Sequence, residues 1–378
     1  MMSSSSELTD RARLFEHVLA GLGDAVSTPA PIVLIDVVAD NIARMQAFAH
    51  EHGRQLTPHV KTHKNVHIGK MQLEAGAGGL TAGNLSEAEI FAAAGCADIF
   101  LAYPLWAVGT KATRLKRLLQ NTRLSVGAES TAAIDRLAEA AGEFTGLLGI
   151  VVEIDCGAER SGVPPEEAGR LAAYARDRGL VPLGVFTYPG HGGAVGKPEG
   201  AAEDQALALR HAVASLADHG VEAHKVSAGS TPTAQLSTDP VITEIRPGEY
   251  VFNDCDNLRI GDCEASDIGL FVASTVVSDQ GHEHVILDAG TKALAREGDP
   301  DRGYGRVPSC EGRLSRLNEY HGFLRLPDHG VRPGVGQRVA IVPNHVCPIV
   351  NSFEELIIAN SHGELIDRWP VDARGQLN

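Results

Sequence analysis

Pro58-His59-Val60-Lys61-Thr62-His63-Lys64 sets two lysines and two histidines at the end of a strand-like run, Gln55 to Lys61, just before an amphipathic helical pattern. A lysine among cationic neighbours sheds its proton more readily, and its free amine attacks an aldehyde carbon to form a Schiff base. An ordinary basic surface turn would carry the same residues. The chemical reading therefore needs support from the rest of the chain.

Three further constellations supply it. Val226-Ser227-Ala228-Gly229-Ser230-Thr231-Pro232-Thr233 follows another strand-like run. Around Gly229, small residues let backbone N–H groups converge, and the Ser230 and Thr231 hydroxyls can donate to phosphate oxygens. In Glu153-Ile154-Asp155-Cys156-Gly157-Ala158-Glu159-Arg160-Ser161-Gly162-Val163 a strand ends in acids, turns at glycine and presents Arg160. An arginine aimed at a ring oxygen or nitrogen fixes the protonation of an aromatic cofactor and tunes it as an electron sink; an Asp155–Arg160 surface pair is the plainer alternative. Together, an aldehyde-trapping amine, a phosphate turn and an arginine are the parts of a pyridoxal 5'-phosphate site. Last, Pro343-Asn344-His345-Val346-Cys347-Pro348 follows the apolar run Val339–Val342. In an extended segment, residues two apart face one way, so His345 and Cys347 could share a divalent metal. Nitrogen with thiolate suits zinc, and two protein ligands leave the open positions of a catalytic site. Core packing is the plainer account of an isolated H-x-C.

The elements that must position these groups alternate. Strand candidates are Ile32–Asp36, Gln55–Lys61, Gly79–Gly83, Asp98–Tyr103, Leu124–Ala128, Gly149–Asp155, Leu183–Tyr188 and Lys225–Ser227, with helical patterns between them, two of them capped by Ser86 and Ser130. Alternation implies parallel pairing through right-handed crossovers, and eight such units close into a barrel. The fold class is α/β: a (β/α)8 TIM-type barrel over residues 30–265, followed by an all-β domain over residues 266–378 that carries the metal pair, with residues 1–29 expected to pack on that second domain. Polar residues fall at the strand C-termini, where barrel chemistry collects: Lys61, Asn84, Tyr103, Glu129, Asp155, Tyr188 and Ser230. An open doubly wound sheet is the alternative, but the first strand-to-helix turn lacks G-x-G-x-x-G. Beyond residue 265, Leu270–Val277, His284–Asp288, Leu317–Leu326, Gln337–Val342 and Glu355–Ala359 read as strands.

Composition narrows the function classes. With 378 residues, 43% hydrophobic, the chain can bury a large core. A net charge of −15 repels phosphate backbones and argues against nucleic acid as a partner. No run of about 18 apolar residues exists for a membrane span. The serine-rich start lacks the apolar core of a signal peptide. The spacing of the six cysteines is that of reduced thiols in a cytoplasm rather than of a disulfide scaffold.

Taken together, these segments resemble the fold-type III pyridoxal phosphate enzymes of the alanine racemase superfamily, and within it the D-threonine aldolase and D-serine dehydratase branch. The resemblance also runs through Thr243-Glu244-Ile245-Arg246-Pro247-Gly248-Glu249-Tyr250 and Val285–Lys292, in the family's order. It implies that Lys61 binds the cofactor covalently and acts as catalyst. His59 is expected beside the cofactor and Arg160 near its 3′-oxygen, with Gly229, Ser230 and Thr231 in the phosphate cradle. Tyr188, in Thr187-Tyr188-Pro189-Gly190-His191, would line the site, and in the aldolase alternative His191 would serve as a base at the β-hydroxyl. His345 and Cys347 would hold the metal, zinc first and manganese as the alternative. The substrate implied is a small D-amino acid and the assembly a homodimer or a monomer. The phosphate turn departs from the family's glycine-rich loop. The aldolases usually carry aspartate where this chain has Cys347, while the dehydratases of D-serine and D-threo-3-hydroxyaspartate carry cysteine. That residue favours dehydration over retro-aldol cleavage. An amino-acid racemase has no use for a metal pair, and a non-catalytic pyridoxal phosphate binder has no second domain.

Overall fold

The computed structural model describes residues 4–281, 283–328 and 331–378. The chain divides into two compact units: Met1–Ala43, Thr62–Asn65 and Glu249–Gly375 form the first, and Arg44–Lys61, Val66–Gly248 and Gln376–Asn378 the second. The strands in chain order are β1 (Ala30–Leu34), then β2 (Gln55–Leu56), β3 (Leu80–Ala82), β4 (Asp98–Pro104), β5 (Arg123–Ala128), β6 (Leu148–Glu153), β7 (Val181–Phe186), β8 (Lys225–Ala228) and β9 (Glu244–Ile245). They continue with β10 (Leu270–Ser278), β11 (His284–Leu287), β12 (Arg306–Val307), β13 (Gly312–Leu317), β14 (Gly322–Arg325), β15 (Arg338–Ile341), β16 (Glu355–Ala359) and β17 (Leu365–Pro370).

In the second unit, β2 to β9 form one parallel eight-stranded sheet in the order β2-β9-β8-β7-β6-β5-β4-β3. Its ends meet through Gly78 N to Leu56 O, Thr81 N to Pro58 O and Val60 N to Thr81 O, each 2.9 Å. Sequence alternation thus yields the expected TIM-like barrel. Phe100, Val151 and Phe186 fill part of its interior, with Phe100 edge-on to Phe186 at 5.1 Å. Gly184, at φ +146°, lets β8 approach: a Cβ there would lie 2.0 Å from Lys225 O. The connecting helix Leu85–Ala93 is capped by Asn84, whose Oδ1 accepts from Glu87 N, and not by Ser86; Ser130 caps Thr131–Ala141 as expected.

The barrel's membership differs from the sequence reading at one strand. The run at residues 32–36 was expected to open the barrel. Instead β1 lies in the first unit, antiparallel to β10 and parallel to β16. Its apolar residues are buried on both faces, a pattern that does not reveal which sheet receives it. The eighth barrel strand is β9, only two residues long, too short for any periodic signal. Residues 55–61 form a short strand because Pro58 has no N–H to give the ladder; the extended chain continues through His59 N to Pro247 O.

The first unit is built on a mostly antiparallel nine-stranded sheet in the order β12-β13-β14-β11-β10-β1-β16-β17, with β15 also on β10. The expected single strand over residues 317–326 instead holds the last residue of β13, a turn closed by Asn318 N to His321 O, and β14, which pairs back on β13. The helix Ser4–Leu22 carries Phe15, Val18, Leu19 and Leu22 at helical spacing, and these join Ile32, Phe271 and Ile357 in one core. Among the described residues, no helix is long and apolar enough to cross a membrane.

Candidate active site

One group of candidate residues gathers at the C-terminal ends of the barrel strands. Lys61 is exposed just after the β2 segment, and its amide donates to His59 Nδ1 at 3.4 Å. Tyr188 follows β7, and the Lys61 Nζ lies 5.8 Å from its ring centroid. Arg160 stacks on the same ring, its guanidinium carbon 4.3 Å from the centroid. The Asp155–Arg160 pair, the plainer alternative for this arginine, is absent among the ion pairs of the described residues. Asp155 Oδ1 instead accepts from the amides of Gly157 and Glu159 at 3.0 and 3.1 Å, closing the loop that carries Arg160. Gly162 ends that loop at φ +103°, and a Cβ there would sit 2.5 Å from the Ile154 carbonyl carbon. Gly162→Ala should therefore cost about 2–4 kcal/mol of stability, read as a lower urea midpoint.

The turn after β8 binds itself in part. Gly229 N donates to Gln205 Oε1 at 3.1 Å, and Ser230 N to Thr233 Oγ1 at 3.1 Å. The Ser230 and Thr233 hydroxyl oxygens are 3.2 Å apart. Thr233, having accepted from the Ser230 amide, can donate to Ser230 Oγ and leave that hydroxyl's own hydrogen for a phosphate oxygen. Thr231 Oγ1 accepts from Gly248 N at 3.3 Å. His191 Nε2 meets Asp204 Oδ2 at 3.2 Å, while its Nδ1 is buried without a hydrogen-bond partner. An exposed amine, an arginine stacked beside it and a hydroxyl-bearing turn fit pyridoxal phosphate.

Not all of the basic cluster belongs to this group. His63 and Lys64 lie in the first unit and are buried. His63 Nδ1 lies 3.0 Å from Asn65 O, and Lys64 Nζ donates to Ala373 O at 3.3 Å. They hold the chain; Lys61 carries the exposed amine.

The second group lies in the first unit. The segment bearing His345 and Cys347 is not extended throughout: a helix, Val346–Ser352, begins between them, because Asp254 Oδ2 accepts the Val346 amide at 3.0 Å. The ligand atoms converge all the same. His345, Cys347 and Glu249 each offer one, all within 4.8 Å of one another. Glu249 Oε1 is 3.8 Å from His345 Nδ1 and 3.9 Å from Cys347 Sγ. Ligand atoms around tetrahedral zinc sit about 3.3–3.8 Å apart, so the set needs little adjustment. Asp254 is fully buried, takes the amides of Asp256 and Asn257 on Oδ1, and stands 3.5 Å from His345 Nδ1. A buried carboxylate this close fixes the orientation of the imidazole ring. Burial pulls the His345 pKa down, but hydrogen bonds to Asp254 and Cys347 and the charges of Cys347 and Glu249 outweigh it, and the value is pushed up to about 12. The Asp254 and Glu249 carboxylates beside His345 make a negative field of the kind a divalent cation binds into. Thr62, next to Lys61 in the chain, has Oγ1 3.2 Å from Cys347 Sγ. Sequence reasoning missed Glu249 and Asp254. Glu249 stands far from His345 in the chain, and Asp254 has the local look of a helix cap, a role it also fills.

Comparison with known proteins shows the family. The family described as "Alanine racemase, N-terminal domain" matches residues 33–255. The chain belongs to the alanine racemase family of fold-type III barrels. A "Putative serine dehydratase domain" matches residues 269–359. The chain is 36% identical to D-threo-3-hydroxyaspartate dehydratase of Delftia sp. (strain HT23), over 85% of this chain and 91% of that protein. It is 31% identical to D-threonine aldolase of Arthrobacter sp., over 93% of each. The crystal structure of D-threonine aldolase from Filomicrobium marinum superimposes with a TM-score of 0.85 at 30% identity, covering 93% of this chain and 97% of that one.

Proposed function

We propose that the chain is a pyridoxal phosphate- and metal-dependent lyase acting on D-β-hydroxy-α-amino acids, dehydrating and deaminating D-threo-3-hydroxyaspartate or D-serine to a 2-oxo acid and ammonia. The observation that carries this reading is the Glu249–His345–Cys347 set, a metal group whose thiolate selects zinc over harder ions, with manganese as the alternative. The cofactor, when bound, supplies an electron sink for the charge left at Cα. The metal, when bound, supplies a Lewis acid for the departing β-hydroxyl.

The chain's own residues do the rest. Lys61 would hold the cofactor, and its Nζ would take the Cα proton. The face on which that amine stands selects the D enantiomer. Tyr188 and Arg160 form one wall, and Ser230 and Thr231 anchor the phosphate. Glu249, His345 and Cys347 hold the cation, with Asp254 fixing the imidazole. Loss of the Cα proton and the β-hydroxide would remove one water and leave an enamine, 2-aminoacrylate from D-serine or its 3-carboxy counterpart from D-threo-3-hydroxyaspartate, and the released enamine takes up water to give the 2-oxo acid and ammonia. We further propose a cytoplasmic homodimer; the six free thiols support a reducing compartment.

One observation favours a second reading. His191, oriented by Asp204 and with Nδ1 unengaged, is built as a base. A base at the β-hydroxyl would cleave Cα–Cβ to glycine and an aldehyde, the D-threonine aldolase reaction. The deciding experiment incubates the purified protein with D-serine, D-threonine and D-3-hydroxyaspartate and measures ammonia and glycine separately. Ammonia with a 2-oxo acid is expected. Glycine with an aldehyde would transfer the assignment to the aldolase, and a racemised substrate with neither product would overturn both.

A further inference from the structure

The loop at residues 155–163 is gripped by acids from two neighbouring strands. Glu129, just after β5, accepts the Gly162 amide on Oε2 at 2.6 Å. Glu153, the last residue of β6, accepts the Ser161 hydroxyl on Oε1 at 2.8 Å. Glu153 is 3% exposed, and its Oε2 is buried without a hydrogen-bond partner. Arg160 Nη2 stands 3.7 Å from Oε1, long for a charge-assisted hydrogen bond, while the guanidinium lies against Tyr188. Burial pushes the Glu153 carboxyl up; Ser161 and Arg160 draw it back down. A buried acid persists when a cation needs it, and the buried Arg246 beneath is already fixed by Ser227 Oγ and the Thr187 carbonyl. Among the ion pairs of the described residues, Arg160 pairs with Glu153 alone.

We infer that Glu153 is a positioning residue whose buried carboxylate holds Arg160 against Tyr188 and offsets part of its charge where the cofactor's 3′-oxygen would sit. The inference rests on the cofactor reading above. Arg160 beside the 3′-oxygen favours its ionised form and lets the proton shared with the lysine nitrogen leave at lower pH. Glu153 opposes that field. Other charged or titratable groups around the pair are Glu129, Arg246 and Cys156, and Lys61 and His59 face the same mouth.

The test reads the pH midpoint of the visible band in the cofactor-loaded protein. Glu153→Gln keeps the hydrogen-bond acceptor and removes the charge; the midpoint should fall by about one pH unit. In an Arg160→Ala background the same change should move it by less than a third as much. Ser161→Ala removes the hydroxyl that competes for Oε1 and should move the midpoint the opposite way, by a few tenths; it answers the question even if Glu153→Gln does not fold. An unmoved midpoint in both variants, or an equal shift with and without Arg160, overturns the assignment and leaves the cofactor reading standing. A wild-type protein that never acquires the band overturns both.

Discussion

Lys61→Ala is expected to remove the visible absorbance of the cofactor-loaded protein and to lower turnover by about 10⁴ or more, since one amine serves as both tether and proton acceptor. The change should leave the fold intact. Lys61 is exposed, and surface substitutions of this kind stay within about ±0.5 kcal/mol. The internal control is Lys64, three residues on. Its side chain is 6% exposed and donates to Ala373 O, and its backbone sits at φ +50°. Lys64→Ala should therefore cost about 1–3 kcal/mol of stability while the band survives. Spectra of the two variants, with urea midpoints for each, separate chemistry from structure in one short segment. If Lys64→Ala loses the band and Lys61→Ala keeps it, the assignment of the nucleophile is wrong.

That contrast shows where the sequence was readable. Candidate residues at strand ends were visible because barrel periodicity places strand ends, and Lys61, Tyr188 and Ser230 all lie just beyond them, with Arg160 on the loop that follows β6. Residues 32–36 misled because an apolar β-branched run says only that a strand is buried. Nothing local distinguishes a barrel strand from β1, whose partners β10 and β16 lie hundreds of residues away. β9 escaped for the opposite reason: two residues have no period, and its place is held by Glu244, which pairs with Lys225 at 2.7 Å and takes the Ser227 hydroxyl. At the candidate metal group, the nearness of His345 and Cys347 was legible but its cause was not. The expectation relied on an extended chain, whereas a buried aspartate starts a helix between the two ligands. Glu249 and Asp254 enter through tertiary packing, which spacing cannot report.

Removing the metal group should separate catalysis from cofactor binding. His345→Ala, or dialysis of the wild-type protein against a chelator, is expected to lower turnover by at least about 10³ while the visible band stays, because hydroxide is a poor leaving group without a Lewis acid. Added zinc should restore the dialysed wild type but not His345→Ala. The loss in the variant comes from the missing ligand rather than from collapse: His345 is about a third exposed at its side chain, and Asp254 keeps three backbone amides to satisfy it. Cys347→Asp is the sharper probe. A carboxylate in place of the thiolate keeps the charge, but a hard oxygen replaces soft sulfur. Metal preference should move from zinc toward manganese, with apparent zinc affinity falling about 10- to 100-fold. Metal content by mass spectrometry and turnover on D-3-hydroxyaspartate with each ion check it. Full activity in the chelated protein, with no metal retained, would remove the metal from the reaction. Lys61 and the barrel would then have to expel the β-hydroxyl unaided.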